Sequence, residues 1–214
     1  MSQNVCSWLR LLTVALLLGL APALAYAHIS ALQPVLLDLL RASDCVVAGR
    51  TGNTEADERG GGVVVLLDPI SWCGIEMPPR LRLRVQTTPL EGQRYVFFVE
   101  RRGSSWRDRA PAGILFPLLR QDQQRVHAAL RTLWHLRGRP ADTRYRAAFL
   151  RLLETQSHEW QYHAAIAIAH LAQLSGRLPE AELQRLRSAA QRSEDPALRS
   201  LLQHLTGATR ALAE

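Results

Sequence analysis

Lysine is missing altogether from these 214 residues, whereas arginine occurs 26 times. Every basic side chain is therefore a guanidinium, which keeps its charge at physiological pH and offers oxyanions a planar fork of donors. Cysteine is scarce, with three in the chain, which excludes a cysteine-dense scaffold and a four-cysteine zinc site. Neither Cys45 nor Cys73 has a second Cys or a His at short ligand spacing. No stretch beyond residue 27 approaches the roughly 20 apolar residues that a membrane-spanning helix needs. G-x-S-x-G, P-loop, H-E-x-x-H and C-x-x-C patterns are absent, so the usual signatures of hydrolases, nucleotide-binding enzymes, zinc proteases and thiol oxidoreductases are excluded. A hydrolase with scattered catalytic residues is a remaining alternative. No cofactor is implied.

What is present begins with an address. Residues 1–10 are polar and carry one charge, Arg10. Residues 11–25, LLTVALLLGLAPALA, carry none, and Ala25-Tyr26-Ala27 makes an A-x-A site before His28. That order is the one found in a cleavable secretory signal. Pro22 interrupts the apolar run, which argues against a single membrane anchor. The expectation is a signal peptide over 1–27 and a secreted or periplasmic mature chain. Export leaves Cys45 and Cys73 as an even pair in an oxidising compartment, where a disulfide is expected, two buried thiols being the alternative.

The positive charge is unevenly placed. Residues 28–139 hold 16 Arg against 11 acids, and residues 140–214 hold 9 against 8. A basic surface outside the cytoplasm fits another envelope protein or an anionic envelope component, and nucleic acid is not expected. The alternative is that the arginines are spread over a solvated surface.

Periodicity divides the chain in two. A short helix is expected over 30–41. Strands are expected at Cys45–Arg50, at the β-branched run Val63–Leu67, at Arg80–Gln86 and at Tyr95–Val99, with a last short one at Ile114–Phe116. The segment RLRLRVQ alternates strictly, placing Leu81, Leu83 and Val85 on one face and Arg80, Arg82 and Arg84 on the other. Residues 51–62 and 101–113 are rich in Gly and charge and are read as loops. Short strands without βαβ alternation argue an α+β protein with a small antiparallel barrel or sandwich over 28–118.

Helical spacing takes over after Gln121. Segments 121–137, 143–155, 158–174, 179–191 and 196–206 carry apolar residues at three- and four-residue intervals. Asp195-Pro196 is an N-cap with proline at the first helical position. The expected second domain, 119–214, is about four short helices in antiparallel hairpins. The 143–174 and 179–206 hairpins are spaced by about 35 residues, a solenoid-like period.

The runs SDCVVAGR (43–50), VVVLL (63–67), ISWCG (70–74) and LEGQRYVFFVE (90–100) resemble exported bacterial proteins with a netrin-like, tissue-inhibitor-of-metalloproteinase-like OB barrel. Gly92-x-x-Tyr95-x-Phe97-Phe98 is the most specific piece, and the resemblance covers about 38–118. It implies an OB-like barrel. Metalloproteinase inhibition does not carry over, because those inhibitors have a cysteine at the mature N-terminus and this chain would expose His28. The run SEDPALRSLLQHL (193–205) is similar to the second helix of HEAT-like repeats. Both resemblances imply an interaction or sensing module rather than a catalyst.

Candidate contact residues follow from these patterns. Trp106 stands among Arg101, Arg102, Arg107 and Arg109, and an aromatic beside arginines suits an anionic partner. With Arg80, Arg82 and Arg84 they form the expected binding surface. A mature N-terminal His28 would offer its amine and ring nitrogen to copper, which makes a periplasmic copper protein the second alternative. His158, His163 and His170 share one helical segment but diverge or stand too far apart to share an ion.

Overall fold

The computed structural model describes residues 35–56, 61–139, 143–175 and 178–211. The expected signal peptide and His28 lie outside them. The first element, α1 (Val35–Ala42), buries Leu36, Leu37, Leu39 and Leu40 on one face. It ends where both the amide and the hydroxyl of Ser43 donate to the Leu39 carbonyl, at 3.1 and 2.6 Å.

Strand β1 (Cys45–Ala56) and strand β2 (Gly62–Ser71) form a long antiparallel pair. Both run further into residues 51–62 than the sequence predicts, because backbone pairing carries the polar stretch Thr51–Glu55 against Val63–Leu66. Strand β3 (Arg80–Val85) continues the sheet along β2. Strand β4 (Arg94–Arg102) pairs with β1 from Cys45 to Arg50. Strand β5 (Ser105–Asp108) closes the gap by pairing with both β4 and β3. The order β1-β2-β3-β5-β4 returns to β1, so the five strands make a closed barrel.

Two expectations need correction. The barrel is not wholly antiparallel: β3 and β5 run parallel, with Leu83 beside Trp106 and Arg84 beside Arg107. The stretch 101–113 is not all loop either. Gly103 turns at φ 61° and sends Ser105–Asp108 back along β4. Four residues with one apolar side chain carry no usable alternation, so only the free edges of β4 and β3 define this strand. The last short strand is β6 (Phe116–Pro117), which pairs with β4 outside the barrel.

The barrel is filled by Cys45, Val47, Val64, Leu66, Leu81, Leu83, Tyr95, Phe97 and Val99, among others. Strand β4 is buried on both faces from Tyr95 to Val99. Its outward Phe98 meets Phe116 edge-on at 5.3 Å, and Phe116 meets Trp160 at 4.7 Å. An unbroken apolar run is what two covered faces require.

Five helices follow: α2 (Gln123–Leu136), α3 (Thr143–Leu153), α4 (His158–Ser175), α5 (Glu180–Arg192) and α6 (Pro196–Ala211). The compact units divide at Gly176/Arg177. The barrel and α1 to α4 therefore form one body, and the change from strand to helix falls inside it. Trp160 on α4 is fully buried and donates its indole N–H to the Pro117 carbonyl at 2.8 Å. The Tyr145 hydroxyl of α3 donates to the Leu136 carbonyl that ends α2. In the other unit, α5 packs on α6. Asp195 accepts the Ala197 amide at 2.8 Å as a cap, and Arg199 donates to the Ser193 carbonyl at 2.7 and 3.1 Å.

Candidate functional site: an arginine-lined cleft on the barrel

The cleft starts from the alternation in β3. Leu81, Leu83 and Val85 are buried in the barrel, which forces Arg80, Arg82 and Arg84 outward and leaves them exposed. Along β2 their neighbours are Leu67, Val65 and Val63, a half-buried apolar stripe. On the other side, the parallel joint sets Arg107 beside Arg84. Arg102, at the end of β4, stands opposite Ser105.

Together Val63, Arg82, Arg84, Arg102, Trp106 and Arg107 line an open cleft of about 360 Å³. Trp106 is half-buried and packs on the barrel core. The Arg101 guanidinium lies over its ring, 5.9 Å from the centroid. The indole is therefore anchored at its base and offers one side to the cleft.

Charge in the cleft is partly neutralised. Glu100 accepts from Arg102 at 3.1 Å and from Arg109 at 2.8 Å. The Arg102 hydrogen bond, then the charges of Arg102 and Arg109, hold its carboxyl below the usual range. Arg82 meets Glu55 at 3.6 Å with both side chains largely exposed, a pair worth about 0–1 kcal/mol. Among the described residues no carboxylate forms an ion pair with Arg84 or Arg107, although Glu100 stands opposite Arg107 on β4 with its carboxylate turned to Arg102 and Arg109. Both arginines line the cleft and are thus left to solvent or a ligand.

Of the residues singled out from sequence, the structure brings Arg82, Arg84, Arg102, Trp106 and Arg107 to this cleft. Arg80 lies further along β3, opposite Leu67. Arg101 holds Gly103 through its side chain and Asp44 through its amide. Arg109 is engaged with Glu100. Sequence reasoning missed Val63 and Glu100. The outward parity of β2 carried a signal for Val63. Glu100 reaches Arg102 two residues along the same face of β4, a spacing the sequence shows, whereas Arg109 comes to it only through the β4–β5 turn.

Beneath the same strands lies Asp108, which is 3% exposed. Its Oδ1 accepts the amides of Phe98 at 3.2 Å and Ala110 at 3.3 Å. Burial pushes its carboxyl up to about 6, against the lowering effect of these backbone donors. Cys45 and Cys73 form the expected disulfide, with Cα atoms 5.1 Å apart. The bridge ties the start of β1 to the loop after β2, where the Trp72 amide also donates to the Val46 carbonyl at 3.0 Å.

His158 and His163 pack against aromatic rings. The His163 ring lies 5.4 Å from Phe116, and its buried Nδ1 has no hydrogen-bond partner. Burial lowers its pKa, with Glu159 opposing and His158 adding to the effect. His158 stacks on Tyr162 at 5.7 Å. Among the described residues no three His, Cys, Asp or Glu side chains are grouped to hold a metal ion. No helix among them is long and apolar enough to cross a membrane.

Comparison of the chain with protein-family models, with curated proteins and with solved structures gave no match.

Proposed function

We propose that this chain is an exported, non-enzymatic binding protein of the bacterial cell envelope, which captures an anionic partner in the cleft between β3 and β5. The observation that carries the reading is the placement of Arg84 beside Arg107 with no described carboxylate on either. Around them, Arg82 and Arg102 add charge, and Trp106 and Val63 add an apolar wall. That combination suits a partner whose carboxylates or phosphates are joined by apolar or sugar surface.

Several features support the rest of the reading. The closed five-stranded barrel, in which β1 pairs with both β2 and β4, supports an OB-type, netrin-like module. The capped α5–α6 pair supports a HEAT-like hairpin. The Cys45–Cys73 bridge and the Ala25-Tyr26-Ala27 site support export to an oxidising compartment.

The test is capture of envelope components by purified protein, with Arg82, Arg84 and Arg107 reversed to Glu as the comparison. Capture by the parent protein should weaken as salt rises, because exposed charges are screened. It should be lost in the triple variant while the melting temperature is kept. Equal capture by both proteins would remove the cleft from consideration.

A further inference from the structure

A second basic pocket lies at the other end of β4 and shares no residue with the cleft. Arg94 opens β4 and Arg102 closes it. At about 3.3 Å per residue their Cα atoms are about 26 Å apart along the strand. The pocket, about 380 Å³, is lined by Arg50, Arg94 and Arg120, with Gln93, Gln123 and Leu118 among its other walls.

Its construction runs against stability. Arg50 on β1 and Arg94 on β4 are direct cross-strand partners. Like charges in that position destabilise a sheet. Above them the Leu118 amide donates to the Arg94 carbonyl at 2.8 Å. This brings the following residues, and with them Arg120, over the same strand ends. Among the described residues none of the three arginines has a carboxylate partner. The nearest acid in sequence, Asp122, is buried and committed elsewhere: it accepts the Gln156 amide at 2.9 Å and lies 4.0 Å from Arg125. Helix α2 starts at Gln123 in the pocket wall, directly after the turn that carries Arg120, and its N-cap residue is the buried Asp122.

A second observation comes from the next turn of α2. His127 packs edge-on against Trp72 at 4.9 Å, and its buried Nε2 has no hydrogen-bond partner. Burial lowers its pKa most, and the charges of Arg131 and then Arg94 lower it further. Arg94 of the pocket is thus close enough to act on this ring.

We propose that the pocket formed by Arg50, Arg94 and Arg120 is a binding site for a phosphate group, separate from the partner-binding cleft. Three guanidinium groups can share the oxygens of one phosphate, each through paired donors. A pocket of this size admits the phosphate of a small metabolite or of a lipid headgroup. Binding there would relieve the Arg50–Arg94 repulsion, so part of the interaction is already stored in the unliganded barrel. The proposal does not depend on the cleft having a partner.

His127 provides the readout. Glycerol 3-phosphate is titrated into the whole protein while the His127 ring is followed by NMR. In parallel the protein is sedimented with phosphatidylglycerol vesicles and with phosphatidylcholine vesicles. The proposal requires a saturable response to glycerol phosphate or to the phosphatidylglycerol vesicles, and the arm that responds identifies the source. Where glycerol phosphate binds, the His127 pKa should rise. Arg50→Gln and Arg120→Gln should each weaken the response about tenfold, the loss of one charge-assisted contact. Arg84→Gln in the cleft should leave it intact. No saturable response in either arm, or one unchanged by Arg50→Gln and Arg120→Gln, overturns the proposal. So does one lost equally in Arg84→Gln.

Discussion

The Oδ1 of Asp108 accepts the backbone amide of Phe98 at 3.2 Å, tying the end of β5 to the middle of β4. Burial pushes this carboxyl up to about 6, above its ordinary 3.8. The folded protein thus holds this proton more tightly than the unfolded chain. Stability from this group is fully present below pH 3.8 and is lost as pH rises through about 6. Asp108→Asn keeps the Oδ1 acceptor and abolishes the titration. Melting temperatures measured between pH 4 and 7 should fall less steeply with pH in that variant than in the parent. Parallel curves would show that Asp108 titrates as it does in the unfolded chain.

Reducing the Cys45–Cys73 bridge, which spans 28 residues, should cost about 3–4 kcal/mol by the loop-entropy estimate. Urea denaturation with and without dithiothreitol measures it. Reduction should be preferred to Cys45→Ala for this purpose, because Cys45 is fully buried and its truncation would add a cavity.

Trp160 should be the most costly single contact between α4 and the strands. It is fully buried, meets the tilted ring of Phe116 at 4.7 Å and donates to Pro117. Trp160→Ala should lower stability by about 3–5 kcal/mol. Trp160→Phe should lose about 1–3 kcal/mol by leaving the Pro117 carbonyl without its donor. Equilibrium unfolding of the two variants separates ring packing from the hydrogen bond.

Gly49 pairs with Tyr95 of β4 and lies at the irregularity in the β1–β2 register between Ala48 and Arg50. A Cβ there would stand 3.1 Å from the Leu66 Cβ and 3.3 Å from the Leu67 carbonyl oxygen. Gly49→Ala should therefore destabilise the barrel by about 1–3 kcal/mol. The control is Gly92→Ala, where the added carbon meets nothing within 4 Å but φ is +80°. Its cost, about 1 kcal/mol, comes from backbone conformation alone. Denaturation midpoints of the two variants distinguish crowding from strain.

Arg84→Glu should leave the melting temperature nearly unchanged, within the roughly 0.5 kcal/mol of an ordinary surface change. Arg84 is exposed and has no described partner to lose. A large drop would mean that the arginine face holds the barrel together.

Local pattern was enough for several elements. The alternation of Arg80–Val85 marked both the strand and its outward arginines. Tyr95–Val99 and Val63–Leu67 were legible as apolar runs. Each helix after Gln121 was visible from its spacing, from the stop at Gly138 and from the starts at Pro179 and Pro196. The cysteine pair was legible from its even count once export was assumed. Strand β5 was not, because Trp106 is its one apolar residue. Nor was the Arg50–Arg94–Arg120 pocket. Arg50 and Arg94 are 44 positions apart, and nothing in either neighbourhood distinguishes them from other surface arginines.

The sequence by itself determined where strand gives way to helix, which faces are apolar, and that all of the positive charge is guanidinium. These are properties of neighbours within a turn or two of chain, where periodicity of 2 or 3.6 residues is enough. Only the tertiary structure decided that β3 and β5 join in parallel, that Arg84 meets Arg107, and that Arg50 faces Arg94. Those pairings depend on how the barrel closes. Closure is set by the packing of distant strands around one core, a long-range choice that no local pattern records.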